Sequence, residues 1–267
     1  MTHSIPVKAI VAHLATRIFC LAIAGGLTLG SPTYSQSSVA VPGMAAPPHV
    51  IKFTGSTPET NFLACVDRAR AAAIAQGAPS GAARAATQSI LAPDPEIIAA
   101  SEVQPEFSMP IWDYLAGLVD DERVVDGKQA FLTQQDFLRG VEARTGVDAA
   151  TIAAVWGVET NFGKILGKRK VIPSLATLGC TDWRRTAFFN SELVAAIRVQ
   201  AAGHVSPDNF IGSWAGAFGQ TQFMPSTFWR LAVDGSGDGR RDIIDEPRDA
   251  LASTANYLRN SGWVRGQ

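Results

Sequence analysis

The run Trp156-Gly157-Val158-Glu159-Thr160-Asn161-Phe162-Gly163 narrows most sharply what this chain can fold into. It closes a strongly apolar segment that begins near Asp148, and the segment's spacing predicts a helix set against a core. At helical spacing Glu159 shares a face with Ile152, Val155 and Trp156. A carboxylate on such a face is uncommon unless it is paired or functional. Gly163 is expected to stop the helix, which places Glu159 near the carbonyl end. Desolvation and the negative end of the helix dipole both disfavour the ionised form. The expectation is a carboxyl with a raised pKa, suited to general-acid work. A structural Glu satisfied by Arg or backbone donors fits this stretch equally well.

Other helical patterns flank this one. Asn61 to Gln76 reads as an Ala-rich amphipathic helix with Phe62, Leu63, Val66 and Ala69 on one face, and Ser80 to Leu91 as a second helix. Phe107 to Asp120 holds Trp112 and Tyr114, the latter either a core residue or a ligand contact. Thr133 is a good N-cap for a helix running to Arg144, and Asp148 for the helix that bears Glu159. Later helices are expected over Ser191 to Ala202, Pro225 to about Val233, and Glu246 to Asn260.

A chain of 267 residues allows one large domain or two small ones. Residues 1–35 carry Lys8, Arg17, an apolar run from Ile18 to Gly30 and small residues after it, the pattern of a removable signal peptide. Residues 36–58, rich in Ser, Ala, Val and Pro, read as a flexible spacer. Export leaves Cys65 and Cys180, an even pair expected to form one disulfide. With no Cys-x-x-Cys and only His49 and His204 beyond the leader, a zinc site is not expected. A formal net charge of −1 without a basic tract argues against nucleic acid as a partner.

Three further stretches bear on chemistry. Arg184 and Arg185 stand at a helix start, where the dipole does not favour cations; they are either an anion site or a solvated pair. Gly212 to Pro225 mixes glycines, aromatic rings, Ser213 and Gln222, fitting either a sugar-binding loop or a buried structural one. Asp234 to Asp245 nearly matches a calcium loop, with Asp234, Ser236 and Asp238 at the first, third and fifth places, Gly239 at the sixth and the Arg240 carbonyl at the seventh. Arg241 replaces the usual apolar eighth residue, and the closing acid is either Asp245 or Asp249. An acidic turn is the alternative. No nucleophile elbow, zinc-protease motif or phosphate loop is present.

Trp156–Gly163, Thr177–Leu193, Ser213–Phe228, Asp234–Asp245 and Ala250–Trp263, in this order, resemble the membrane-bound lytic murein transglycosylase B family of peptidoglycan-cleaving enzymes. The resemblance implies a mainly α, lysozyme-like α+β fold with an EF-hand-like loop, and a catalytic domain over residues 59–267. It implies cleavage of the β-1,4 bond between N-acetylmuramic acid and N-acetylglucosamine, with Glu159 as the single acid and then base. Ser213, Gln222, Phe223, Tyr114 and Tyr257 match groove residues, and Arg184 and Arg185 match positions facing substrate carboxylates. Phe188 stands where some relatives carry Tyr. In the loop, the family's later closing ligand favours Asp249 over Asp245, so Asp234, Ser236, Asp238, Arg240 and Asp249 are the expected ligands of a structural calcium.

No cofactor is implied for the chemistry itself. The implied partners are peptidoglycan glycan strands and other cell-wall enzymes. The implied setting is a monomer in the periplasm, at or near the membrane. The family continues past the position matching Arg265 with a stretch that completes the core and the groove, so part of that core is expected to be missing. A non-catalytic glycan-binding remnant, a hydrolytic muramidase and a calcium-binding structural module are the alternatives.

Overall fold

Over residues 58–102, 110–181 and 185–266, which the computed structural model describes, the chain forms eleven helices and one two-stranded ribbon. The leader expected at residues 1–35 lies outside the described residues. So does the spacer after it, except for Pro58, which begins the first helix. The helices are α1 (Pro58–Ala75), α2 (Ser80–Thr87), α3 (Pro95–Glu102), α4 (Ile111–Leu118), α5 (Asp121–Thr133), α6 (Gln135–Thr145) and α7 (Ala149–Thr160). After β1 (Arg169–Lys170) come α8 (Val171–Cys180) and α9 (Thr186–Ala201). After β2 (Ile211–Gly212) come α10 (Pro225–Leu231) and α11 (Pro247–Asn260). The two strands pair antiparallel, Arg169 opposite Gly212 and Lys170 opposite Ile211. Among the described residues, no helix is long and apolar enough to cross a membrane.

Two apolar clusters organise these elements. In the larger, α1, α2, α3, α8 and α9 meet the rings of Phe210, Phe218 and Phe228. The smaller joins Leu138 and Val141 of α6, Ile152 and Trp156 of α7, and Leu251, Ala255 and Leu258 of α11. Tyr257 packs against both clusters. Helix α7 is enclosed on several sides: Thr151, Ile152, Ala153, Val155, Trp156, Gly157 and Thr160 are all buried. Burial on several sides fits the strongly apolar run that the sequence shows from Asp148.

Cys65 of α1 and Cys180 at the end of α8 form the expected disulfide, 115 residues apart in sequence. Closing a loop of that length restricts the unfolded chain, contributing about 4–5 kcal/mol in the chain-entropy account. Gly179, just before Cys180, lets α8 approach α9. A Cβ there would lie 2.7 Å from the Asn190 nitrogen.

Several local expectations are corrected. Leu63 is 38% exposed, whereas Phe62, Val66 and Ala69 are each 2% exposed. Helix α2 stops at Thr87, and α9 begins at Thr186 rather than Ser191. Thr133 does not cap a following helix. It ends α5, a helix its polar sequence had hidden, and its hydroxyl donates to the Gln129 carbonyl at 2.9 Å. Asp148 occupies the N-cap position of α7 without a side-chain cap bond, because Oδ1 accepts from Arg265 Nε at 2.8 Å.

Candidate active site

Helix α7 ends at Thr160, and Asn161 and Phe162 both take left-handed backbone angles (φ 50° and 58°) before Gly163 (φ 81°). Two non-glycine residues in this region cost on the order of 1–3 kcal/mol each and persist only where packing enforces them. Here the enforcing group is the Phe162 ring. It folds back onto Gly157 and Gly127, where an added Cβ would come within 2.5 and 2.9 Å of its Cζ. It also meets Trp156 edge-on at 5.6 Å. The reversal of the chain therefore begins at Asn161, two residues earlier than Gly163 suggested.

Glu159 sits at this reversal. Glu159 is half-buried, and desolvation by the protein around its carboxyl pushes its pKa from 4.5 to about 7. No neighbouring charge among the described residues contributes to the shift. Among the described residues no hydrogen bond or ion pair holds the carboxylate, so nothing offsets the burial of its ionised form.

The loop between β2 and α10 is wound by its own side chains. Ser213 Oγ accepts from the Ala217 amide at 3.1 Å, and Phe218 and Phe223 exchange backbone bonds at 2.9 Å. Gln222 (φ 50°) donates from Nε2 to the carbonyls of Gly219, at 3.0 Å, and Leu166, at 3.4 Å. Phe223 is 5% exposed, with its ring 5.9 Å from that of Tyr257, so this ring faces the core and Tyr257 stands half-buried behind it. Tyr114 is half-buried on α4, whose neighbour Trp112 is 75% exposed. Arg185 is the N-cap residue of α9, and its guanidinium lies over the Phe188 ring at 4.2 Å. Arg184 lies outside the described residues.

Sequence reasoning singled out Gln222 and passed over Gln220, which ties these pieces together. Gln220 Oε1 accepts from Trp156 Nε1 at 2.9 Å, and Nε2 donates to the Ile244 carbonyl at 2.9 Å. Its backbone N donates to the Ile243 carbonyl at 2.8 Å, and its own carbonyl accepts from the Thr160 hydroxyl at 2.5 Å. A Cβ on Gly163 would lie 2.7 Å from Oε1. Its polar flanks, Gly219 and Thr221, carry no hint of burial; only the tertiary contacts reveal it.

The acidic loop is built around Asp249. This residue is fully buried, with Oδ1 accepting from the amides of Gly235 and Ser236 at 2.9 Å and Oδ2 from that of Asp242 at 2.7 Å. Asp234 accepts from the Gly237, Asp238 and Gly239 amides, and the Gly239 bond above all lowers its pKa. One oxygen each from Asp234, Asp238 and Asp249 lie within 4.8 Å of one another. Ser236 Oγ is 3.3 Å from Asp234 Oδ1, whereas exposed Asp245 turns away toward Asn209 Nδ2, at 3.5 Å. An all-oxygen cluster of this kind suits a hard cation.

Comparison with known proteins places this arrangement. Residues 61–267 match the family model described as "Transglycosylase SLT domain". The chain is 37% identical over 153 residues to the Membrane-bound lytic murein transglycosylase B of Escherichia coli (strain K12), covering 57% of this chain and 42% of that protein. Its structure superposes on that of SltB3 from Pseudomonas aeruginosa, described in complex with NAG-NAM-pentapeptide, with a TM-score of 0.71 and 45% identity over 77% of this chain and 55% of SltB3. It also superposes on the Escherichia coli lytic transglycosylase Slt35, described in complex with calcium, with a TM-score of 0.67 and 30% identity over 78% of this chain and 65% of Slt35. The chain thus spans about half the length of the first two relatives. With the family model matched from residue 61 to the chain end, this protein belongs to the transglycosylase SLT-domain family.

Proposed function

We propose that the chain cleaves the β-1,4 bond between N-acetylmuramic acid and N-acetylglucosamine in peptidoglycan by transfer rather than hydrolysis. The observation that carries this reading is Glu159: a carboxyl raised to about 7 by burial, with no second acid among the described residues contributing to the shift. Ordinary glycosidases divide the work between two carboxyl groups at set spacings. A lone carboxyl can serve twice when the substrate supplies the rest. Protonated Glu159 gives its proton to the glycosidic oxygen as the C1–O bond breaks, while the substrate's N-acetyl group shares the charge at C1. The resulting carboxylate takes the proton of the muramoyl 6-hydroxyl. That oxygen attacks C1 and closes a 1,6-anhydro ring, restoring the protonated Glu159.

Around this acid, Ser213, Gln222, Phe223, Tyr114 and Tyr257 shape the groove, with the Phe223 ring acting from beneath through Tyr257. Arg184 and Arg185 face substrate carboxylates. The described complex of SltB3 with a NAG-NAM-pentapeptide supports a peptidoglycan substrate. Asp234, Ser236, Asp238, the Arg240 carbonyl and Asp249 hold calcium, which braces the loop and takes no part in bond cleavage. The calcium complex of Slt35 supports that assignment. Residues 59–267 act as the catalytic domain, after a leader (1–35) and a spacer. The disulfide and the cell-wall substrate favour the periplasm.

Digestion of purified sacculi followed by mass spectrometry tests the reaction. Products ending in 1,6-anhydromuramic acid are expected. Reducing ends instead would make the chain a muramidase, and sacculus binding without soluble products would make it a glycan-binding module.

A further inference from the structure

We infer that Gln220 is a positioning residue that ties the cation loop to the turn carrying Glu159. This rests on Glu159 being the acid of the proposed reaction. The connection is continuous in hydrogen bonds. Asp249 Oδ2 accepts from the Asp242 amide at 2.7 Å, and Asp242 Oδ1 accepts from the Ile244 amide at 2.9 Å. The carbonyls of Ile243 and Ile244 then receive the backbone and side-chain N–H groups of Gln220 at 2.8 and 2.9 Å. On its other side Gln220 takes the Trp156 indole N–H and the Thr160 hydroxyl. Trp156 lies three residues before Glu159 and Thr160 directly after it, so both ends of the last turn of α7 are held from one residue.

The chemistry of Gln suits this post. The two hydrogen bonds from its side chain run in opposite senses, one donated and one accepted, and Gln220 is only 5% exposed. A carboxylate could not donate to Ile244, and an aliphatic chain would leave the Trp156 N–H and the Ile244 carbonyl buried without partners. A cation drawing Asp234, Asp238 and Asp249 together fixes the segment on which Ile243 and Ile244 ride. Loss of the cation frees that segment, lets the α7 turn relax and admits water to the Glu159 carboxyl.

The test follows the Glu159 carboxyl by carbon NMR in calcium-loaded, 13C-glutamate-labelled protein, before and after EDTA, with Glu159→Gln to assign the signal. In the wild type EDTA is expected to lower the Glu159 titration midpoint by about one pH unit, as water reaches the carboxyl. In Gln220→Met the midpoint starts low and EDTA no longer moves it. The same variant should lose about tenfold in kcat on sacculi with KM little changed, as outer-shell variants commonly do. If Gln220→Met does not fold, Thr160→Val, which removes the hydroxyl donor to the Gln220 carbonyl and with it the acceptor of the Gly163 amide, is expected to shift the midpoint in the same direction. A variant titration superimposable on the wild type, or a wild-type titration indifferent to EDTA, overturns the inference. The titration needs no turnover, so wild-type protein inactive on sacculi would sink the proposed reaction and still leave Gln220 to be judged.

Discussion

Carboxyl groups drawn into the protein serve opposite ends in this molecule. Asp249 is fully buried yet receives three backbone N–H bonds, two on one oxygen and one on the other. Glu192 of α9, 3% exposed, follows the same pattern, with the Ser226 amide at 2.9 Å and the Ser226 hydroxyl at 2.6 Å. Glu159 keeps part of its side chain at the surface, but its carboxyl has no such donors among the described residues, and its pKa rises to about 7. Burial alone does not decide what a carboxyl does. Donors aimed at the anion make it a structural anchor, and their absence makes it a proton carrier at neutral pH.

The sharpest way to break this comparison is Glu159→Gln. It keeps the shape and removes the proton, so release of anhydro-ended fragments should fall by about 10²–10⁴-fold with circular dichroism unchanged. Retained activity would show that the proton comes from elsewhere. The pH profile tests the same group: kcat/KM should fall as pH rises through about 7, where Glu159 loses its proton.

Stability should respond in the opposite sense from an anchor. A carboxyl raised from 4.5 to about 7 by folding binds a proton more tightly in the folded state. Below 4.5 both states are protonated and it has no effect; between 4.5 and 7 the penalty grows, and above 7 it is complete, at about 3 kcal/mol. Glu159→Gln should therefore match the wild type in urea unfolding near pH 4.5 and exceed it above pH 7. Equal stabilities at both pH values would mean that the carboxyl is solvated after all.

Asp249→Asn should do the reverse, costing about 2 kcal/mol at neutral pH because an amide NH₂ would face a backbone N–H. Thermal melts should also lose their response to calcium. Ser226→Ala gives the smallest effect, about 1–2 kcal/mol, since Glu192 keeps the Ser226 backbone donor. A Ser226→Ala loss as large as that of Asp249→Asn would mean that the hydroxyl, rather than the backbone amide, anchors Glu192.

Much of this was legible in the chain. The helical class follows from spacing and from Gly and Pro punctuation, because local propensity and periodicity are encoded residue by residue. The Cys65–Cys180 bond followed from there being only two cysteines beyond the leader. The unusual setting of Glu159 was visible because a carboxylate amid Ile, Val and Trp breaks a local pattern. Helix α5 was not visible, because Asp121–Thr133 is polar and none of its residues is buried, so no apolar period marks it. The β1–β2 ribbon was hidden for a different reason: two residues per strand are too few to show an alternation, and the pairing joins positions more than 40 apart.

What the sequence by itself determined is therefore the inventory: helices, a disulfide pair, an acid on an apolar run and an acidic loop. The tertiary structure alone decided which polar groups meet. Only there does Phe223 turn inward against Tyr257 while Gln220 takes the buried place between Trp156 and Ile244. Only there does Asp249 close on Asp234 and Asp238 while Asp245 turns to Asn209. Hydrogen bonds between segments 64 residues apart, as from Trp156 to Gln220, leave no periodic trace in a chain, because they depend on where the packed cores place each backbone rather than on any residue's neighbours. The raised pKa of Glu159 belongs to both levels: its apolar setting is written in the sequence, and its burial without a donor among the described residues comes from the fold.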